Sequence, residues 1–180
     1  HIFADYFKEY HDHIPVEEQD DLISAYYKRL TSSDTSIRLE AAKKWSKWEM
    51  ATSKLAINHE MIQKADQDAF ALAFARIECH YFINKGFFSS DEWILENLEK
   101  IKHIPISITQ GRYGNALFLI YHYSFLDVVC PMKSAHDLNE RLLKIGANQV
   151  ELTLTLAGHS ATEEATRESL IKAADSFSKL

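Results

Sequence analysis

The sequence predicts an α/β fold in which a helical region precedes the last strands and helices of a sheet, leaving the sheet domain incomplete. Three observations predict it. A chain of 180 residues with 46% apolar content is able to bury the core of one domain, or of one domain plus a small lid. The first half carries apolar residues at helical spacing, whereas the second half reads strand, helix, strand, helix. The period changes between residues 97 and 103, which separates a helical domain over 1–100 from a sheet portion over 101–180.

Each element has a local reason. Pro15 opens a helix with Glu17 and Glu18 in its first turn and Leu22, Ile23, Tyr26 and Leu30 along its apolar side. The Ser32-Ser33-Asp34 cluster caps a longer helix running to about Leu55. A third helix begins near Asp66 or Asp68, carries Phe70, Phe74, Ile77, Tyr81 and Phe82, and stops at Gly86. A short fourth spans Asp91 to Lys100. The β-branched run from Ile104 to Thr109, ending in Gln110-Gly111, reads as a buried strand. Pro131 to Leu143 is then helical, Val150 to Leu156 a second strand, and Thr162 to Phe177 a closing amphipathic helix.

Composition removes several function classes. The net charge of −6 is spread over both signs without a basic run, so a nucleic-acid partner is not expected. The longest apolar stretch, Ala116 to Leu126, is too short to span a bilayer and contains His122, Tyr123 and Ser124, so no membrane association is expected. Cys79 and Cys130 stand far apart without CxxC spacing, which points to a reducing, cytoplasmic setting. No signal peptide is visible, and a chain opening on His1 reads as processed or truncated. His59-Glu60 lacks the second histidine of HExxH, and His11-x-His13 lacks a third ligand. With no phosphate loop or dinucleotide fingerprint either, neither metal nor cofactor is expected.

Two constellations carry chemistry. In the long helix Trp45, Trp48 and Thr52 recur at steps of three and four, and Glu49 borders that stripe; in the third helix Phe70, Phe74, Glu78 and Phe82 fall at successive i+4 steps. A carboxylate among aromatics is costly to desolvate unless a cation meets it. The cation could be internal, with Arg38 and Arg76 as candidates, or it could be an ammonium on a ligand. The second constellation is Ala157-Gly158-His159-Ser160, between a strand and a helix, where a histidine is either solvated or the general base of a Ser-His-Asp triad.

Longer stretches carry a resemblance. Ala25 to Thr31 (AYYKRLT), Trp45-Ser46-Lys47-Trp48-Glu49 and Phe74 to Phe82 (FARIECHYF) resemble the cap signatures of proline iminopeptidases. His103-Ile104-Pro105, Gln110-Gly111-Arg112-Tyr113, Asp127-Val128-Val129-Cys130-Pro131, Ser134-Ala135, Asp137-Leu138 and Gly158-His159-Ser160-Ala161 continue it in the same order. The resemblance implies a serine exopeptidase that acts on peptides with an N-terminal proline, built as a helical cap followed by the last strands and helices of an α/β-hydrolase sheet. It implies that Asp127 is the triad acid, His159 the triad histidine, and Glu49 and Glu78 the cap acids that hold the substrate's amino terminus.

The sequence departs from that family in two places. It contains no Gly-x-Ser-x-Gly elbow, so the nucleophile and oxyanion donors are missing and the chain by itself is expected to be inert. It also carries an apolar, uncharged block at 114–126 between Tyr113 and Asp127, which the family has adjacent. As a hypothesis, the block is a retained intron: codons for Gly114-Asn115 and Phe125-Leu126-Asp127 accommodate a GT donor and an AG acceptor whose removal restores Gly-Arg-Tyr-Asp in frame. Mature transcripts that all contain the block would reject this in favour of a loop insertion. The alternatives for function are another capped hydrolase, an esterase or epoxide hydrolase, or a non-catalytic amine-binding fragment. Glu49 and Glu78 favour the peptidase, because neutral esters and epoxides offer paired carboxylates nothing to bind.

Overall fold

The computed structural model describes residues 3–113 and 130–178. Asp127 and the block 114–126 lie outside the described residues. The chain divides into two compact units, His1–Thr52 with Ile57–Ser89, and Ser53–Ala56 with Ser90–Leu180.

The first unit is helical: α1 Ala4–His11, α2 Leu22–Leu30, α3 Thr35–Thr52, α4 His59–Gln63 and α5 Asp68–Ile83. The continuous helix expected from Pro15 to Leu30 is broken. Val16–Glu18 forms a single 3-10 turn, and α2 starts only after Asp21, whose carboxylate accepts from the Ser24 amide at 3.0 Å and the Ser24 hydroxyl at 2.6 Å. An acid that caps a new helix cannot sit inside an old one. Asp34 caps α3 as the sequence indicates, its Oδ1 accepting from the Ser36 amide at 2.7 Å. That helix ends at Thr52, earlier than expected, where the Thr52 hydroxyl donates back to the Trp48 carbonyl at 3.0 Å. α5 ends just before Gly86, whose φ of 62° suits a residue without a side chain.

Small residues let these helices approach: Ala41, Ala42, Ala71 and Ala75 are fully buried between α3 and α5 or α2. Aromatic rings fill the space around them, with Tyr10, Tyr26, Trp45 and Trp48 all buried. Phe70 and Phe74 stack at 5.7 Å and pack on Met50, Ala51 and Ile62.

The second unit holds α6 Trp93–Glu96, β1 Ile106–Gly111, α7 Met132–Lys144, β2 Val150–Thr155 and α8 Glu164–Phe177. The helix expected over Asp91 to Lys100 is α6 followed by a separate 3-10 turn, Leu98–Lys100. The strands pair in parallel, Ile106 opposite Val150 through Gly111 opposite Thr155. Parallel neighbours require a crossover, and α7 lies within it. α8 is fastened to the sheet by hydroxyl pairs, Thr109 with Ser169 at 3.0 Å and Thr155 with Thr166 at 2.9 Å. The observed class is therefore helix-rich α/β with a small parallel sheet. Among the described residues no helix is long and apolar enough to cross a membrane.

Candidate functional site

The acids read from the sequence meet inside the first unit. Trp45 and Glu49 stand one turn apart on α3, Glu78 faces them from α5, and the Trp45 indole N–H donates to Glu78 Oε2 at 2.7 Å. The floor is aromatic: Tyr10 stacks on Tyr26 at 4.5 Å and on Trp48 at 5.7 Å, while Trp45 sets its edge against Tyr26 at 5.4 Å. Tyr26 is locked in place by donating its hydroxyl to the Tyr10 carbonyl at 2.6 Å.

This setting controls the charge of the acids. Burial pushes the Glu49 carboxyl well above the usual carboxylate range, and the charge of Glu78 pushes it further. Burial also raises Glu78, opposed by the Trp45 hydrogen bond, which favours the ionised form. The Tyr10 phenol is raised as well, by burial first, then by Tyr26 and Glu49, with Cys79 and Glu78 contributing less. Like charges thus crowd one desolvated space.

Neither internal cation answers them. Arg38 spends its guanidinium on the carbonyls of Ser32 and Ser33, at 2.6 and 2.9 Å, and on the Thr35 hydroxyl at 3.0 Å. Arg76 lines an open groove with Tyr27, Leu30, Leu72 and Ile77. Among the described residues no ion pair reaches Glu49 or Glu78. A pair of carboxylates without a protein cation is suited chemically to an ammonium brought from outside.

His159 belongs to the second unit, on the loop following β2, where its ring is exposed. Partial desolvation lowers its pKa, and the charge of Glu163 opposes this. Backbone bonds hold the loop: the Ser160 amide donates to the Ser53 carbonyl at 2.8 Å, and the Leu55 amide donates to Glu163 Oε2 at 3.3 Å. Gly158 is required there, because a Cβ would lie 2.5 Å from the Leu55 nitrogen. Gly111 is required for the same reason, since its Cβ would collide with the Gly158 carbonyl. Beyond β1 the chain still follows its neighbour, with the Arg112 amide donating to the Thr155 carbonyl at 2.9 Å and the Tyr113 amide to the Ala157 carbonyl at 3.0 Å.

Sequence reasoning missed three participants. Tyr10 sits on α1, where Phe7 and Tyr10, with Ile14 just beyond the helix, stand at steps of three and four and were a usable signal. The Trp45 donor and the approach of Glu163 to His159 depend on side-chain direction and loop path, for which no spacing rule exists.

The fold and site define a helix-rich α/β protein with an acidic pair in an aromatic setting and a backbone-anchored loop histidine. No family model matches the chain. Along 98% of its length it is 47% identical to a probable proline iminopeptidase of Leptolyngbya boryana. It is 44% identical over 99% of its length to a proline iminopeptidase of Arabidopsis thaliana, and 41% identical over 98% to one of Xanthomonas citri. In sequence, the chain is similar to proline iminopeptidases along nearly its whole length. It spans about half the length of the curated relatives it matches, covering 50%, 43% and 51% of these three.

Proposed function

We propose that the chain is the C-terminal part of a serine exopeptidase that releases N-terminal proline from peptides. Residues 1–100 then form its helical cap, and residues 101–180, including the block 114–126, the end of an α/β-hydrolase core. The observation that carries this reading is the acidic pair: burial raises both Glu49 and Glu78 in an aromatic surround, the charge of Glu78 raises Glu49 further, and no cation among the described residues neutralises them. The serine would lie in the part of the family's length that this chain does not span.

The reaction is acyl transfer. A serine attacks the carbonyl carbon of the N-terminal proline while His159 takes its proton; the tetrahedral intermediate collapses, and His159 gives that proton to the departing amine. Water then releases proline from the acyl-enzyme by the same proton path. Asp127 would orient the imidazole and stabilise its cation. Glu49 and Glu78 accept hydrogen bonds from the charged secondary amine, which an internal or blocked proline cannot supply. The same chain without an elbow serine binds the amine and does not turn it over.

Steady-state kinetics on the full-length gene product test the reading. For Glu49→Gln and for Glu78→Gln, kcat/KM on a proline amide should fall about 100-fold relative to kcat/KM on an activated ester without an amine. Equal amide-to-ester ratios in wild type and both variants would remove the cap assignment.

A further inference from the structure

Glu49 and Glu78 share one pocket but are not held alike. Glu78 receives the Trp45 indole N–H at 2.7 Å, and among the described residues no donor reaches the side chain of Glu49. The donor is unusually well fixed. Trp45 is 1% exposed, and its ring is wedged by Tyr26 at 5.4 Å, Tyr10 at 5.9 Å and Phe82 at 5.9 Å, so the indole cannot turn away. Indole nitrogen donates only, so this bond is kept in full when the carboxylate is ionised.

We propose that Trp45 is a positioning residue for amine recognition: its N–H clamps Glu78 by Oε2 and leaves Oε1 to receive the substrate ammonium. The inference rests on the acidic pair being the amine subsite and adds a division of labour within it. Glu78 is the oriented anion. Glu49, unclamped, raised by burial and by its neighbour's charge, is the acid that takes up a proton first when the pocket is empty. An arriving ammonium relieves that repulsion, so binding draws the proton off Glu49, and the pocket responds to charge as well as to shape.

Trp45→Phe removes the donor while keeping an aromatic ring, and the full-length gene product is again the test object. The amide-to-ester ratio of kcat/KM should fall about tenfold. The acid limb of the amide profile should move to higher pH, because Glu78 loses the bond that favours its ionised form. In a Glu78→Gln background the same substitution should change the ratio less than twofold, since no carboxylate remains to be clamped. An unshifted ratio and acid limb in the single variant would overturn the proposal, as would a full tenfold effect persisting without Glu78. Should Trp45→Phe fail to fold, the 15N–1H resonance of the Trp45 indole in the unsubstituted protein decides. It should move as pH is lowered and again on adding prolinamide, and a resonance inert to both overturns the assignment. Loss of amide turnover in both glutamine variants with none in Trp45→Phe would reject only the clamp; no loss in any of the three would reject the subsite itself.

Discussion

The two units treat their candidate functional groups in opposite ways. The helical unit holds half-buried Glu49 and Glu78 among the buried rings of Tyr10, Tyr26, Trp45 and Trp48, and the price is carboxyls displaced from their ordinary range. The sheet unit exposes its histidine and fixes only the backbone around it, through Ser53, Leu55 and the touching glycines 111 and 158. Burial creates selectivity, because a desolvated anion discriminates strongly between charged and neutral partners. Exposure on a rigid loop suits a group that must pass a proton back and forth. Changes in the first unit should therefore alter which substrates are accepted, and changes in the second should alter all turnover alike.

The most severe test of that contrast is His159→Ala in the full-length gene product. It should lower turnover of a proline amide and of an activated ester together, on the order of 10^4-fold. A loss confined to the amide would move His159 from proton transfer to substrate binding. Next in size is excision of 114–126, which places Asp127 directly after Tyr113. The Tyr113 amide is bonded to the Ala157 carbonyl at 3.0 Å, so Tyr113 stands beside the segment that leads into Gly158-His159. An acid there can orient the imidazole, and excision should raise amide and ester turnover in parallel, on the order of 10^3-fold. Unchanged or lower turnover in a folded excision variant would show that the inserted length is compatible with the triad.

How much of this was legible beforehand follows the same division. The sheet unit's β-branched runs and the Gly111 stop led to β1 and β2 within two residues, although the strands expected as buried are mostly half-buried. The i+4 row from Phe70 to Glu78 announced an acid on an aromatic face, and the structure finds Glu78 at Trp45. What stayed hidden was tertiary. Pro15 predicts the start of a long helix, but the capping bonds of Asp21 outweigh continuity. α1 went unread because Asp5, Lys8 and Glu9 dilute its apolar face, and with it went Tyr10. Whether Arg38 and Arg76 or an outside amine would answer the acids is open from spacing alone; in the folded chain Arg38 bonds the Ser32 and Ser33 carbonyls, and Arg76 lines a separate groove.

The smallest effect expected is on stability, and it bears on the cost of burial. The ordinary carboxyl value for Glu49 is 4.5, and in the folded protein burial, then Glu78, raise it. A group whose folded pKa exceeds its unfolded one contributes stability that is complete below the unfolded value and lost as pH rises through the folded one. Toward neutral pH the Glu49 carboxyl therefore works against folding. Glutamine matches glutamate in shape but carries no charge, so Glu49→Gln should raise the thermal midpoint at pH 7 to 8 by a few degrees, with no gain at pH 4. Prolinamide should narrow the gap at neutral pH by stabilising the wild type more than the variant. Midpoints that run parallel from pH 4 to 8 would mean that the Glu49 carboxyl is not strained by its surroundings; the helical unit would then hold its acids as comfortably as the sheet unit holds its histidine, and the contrast between them would fail.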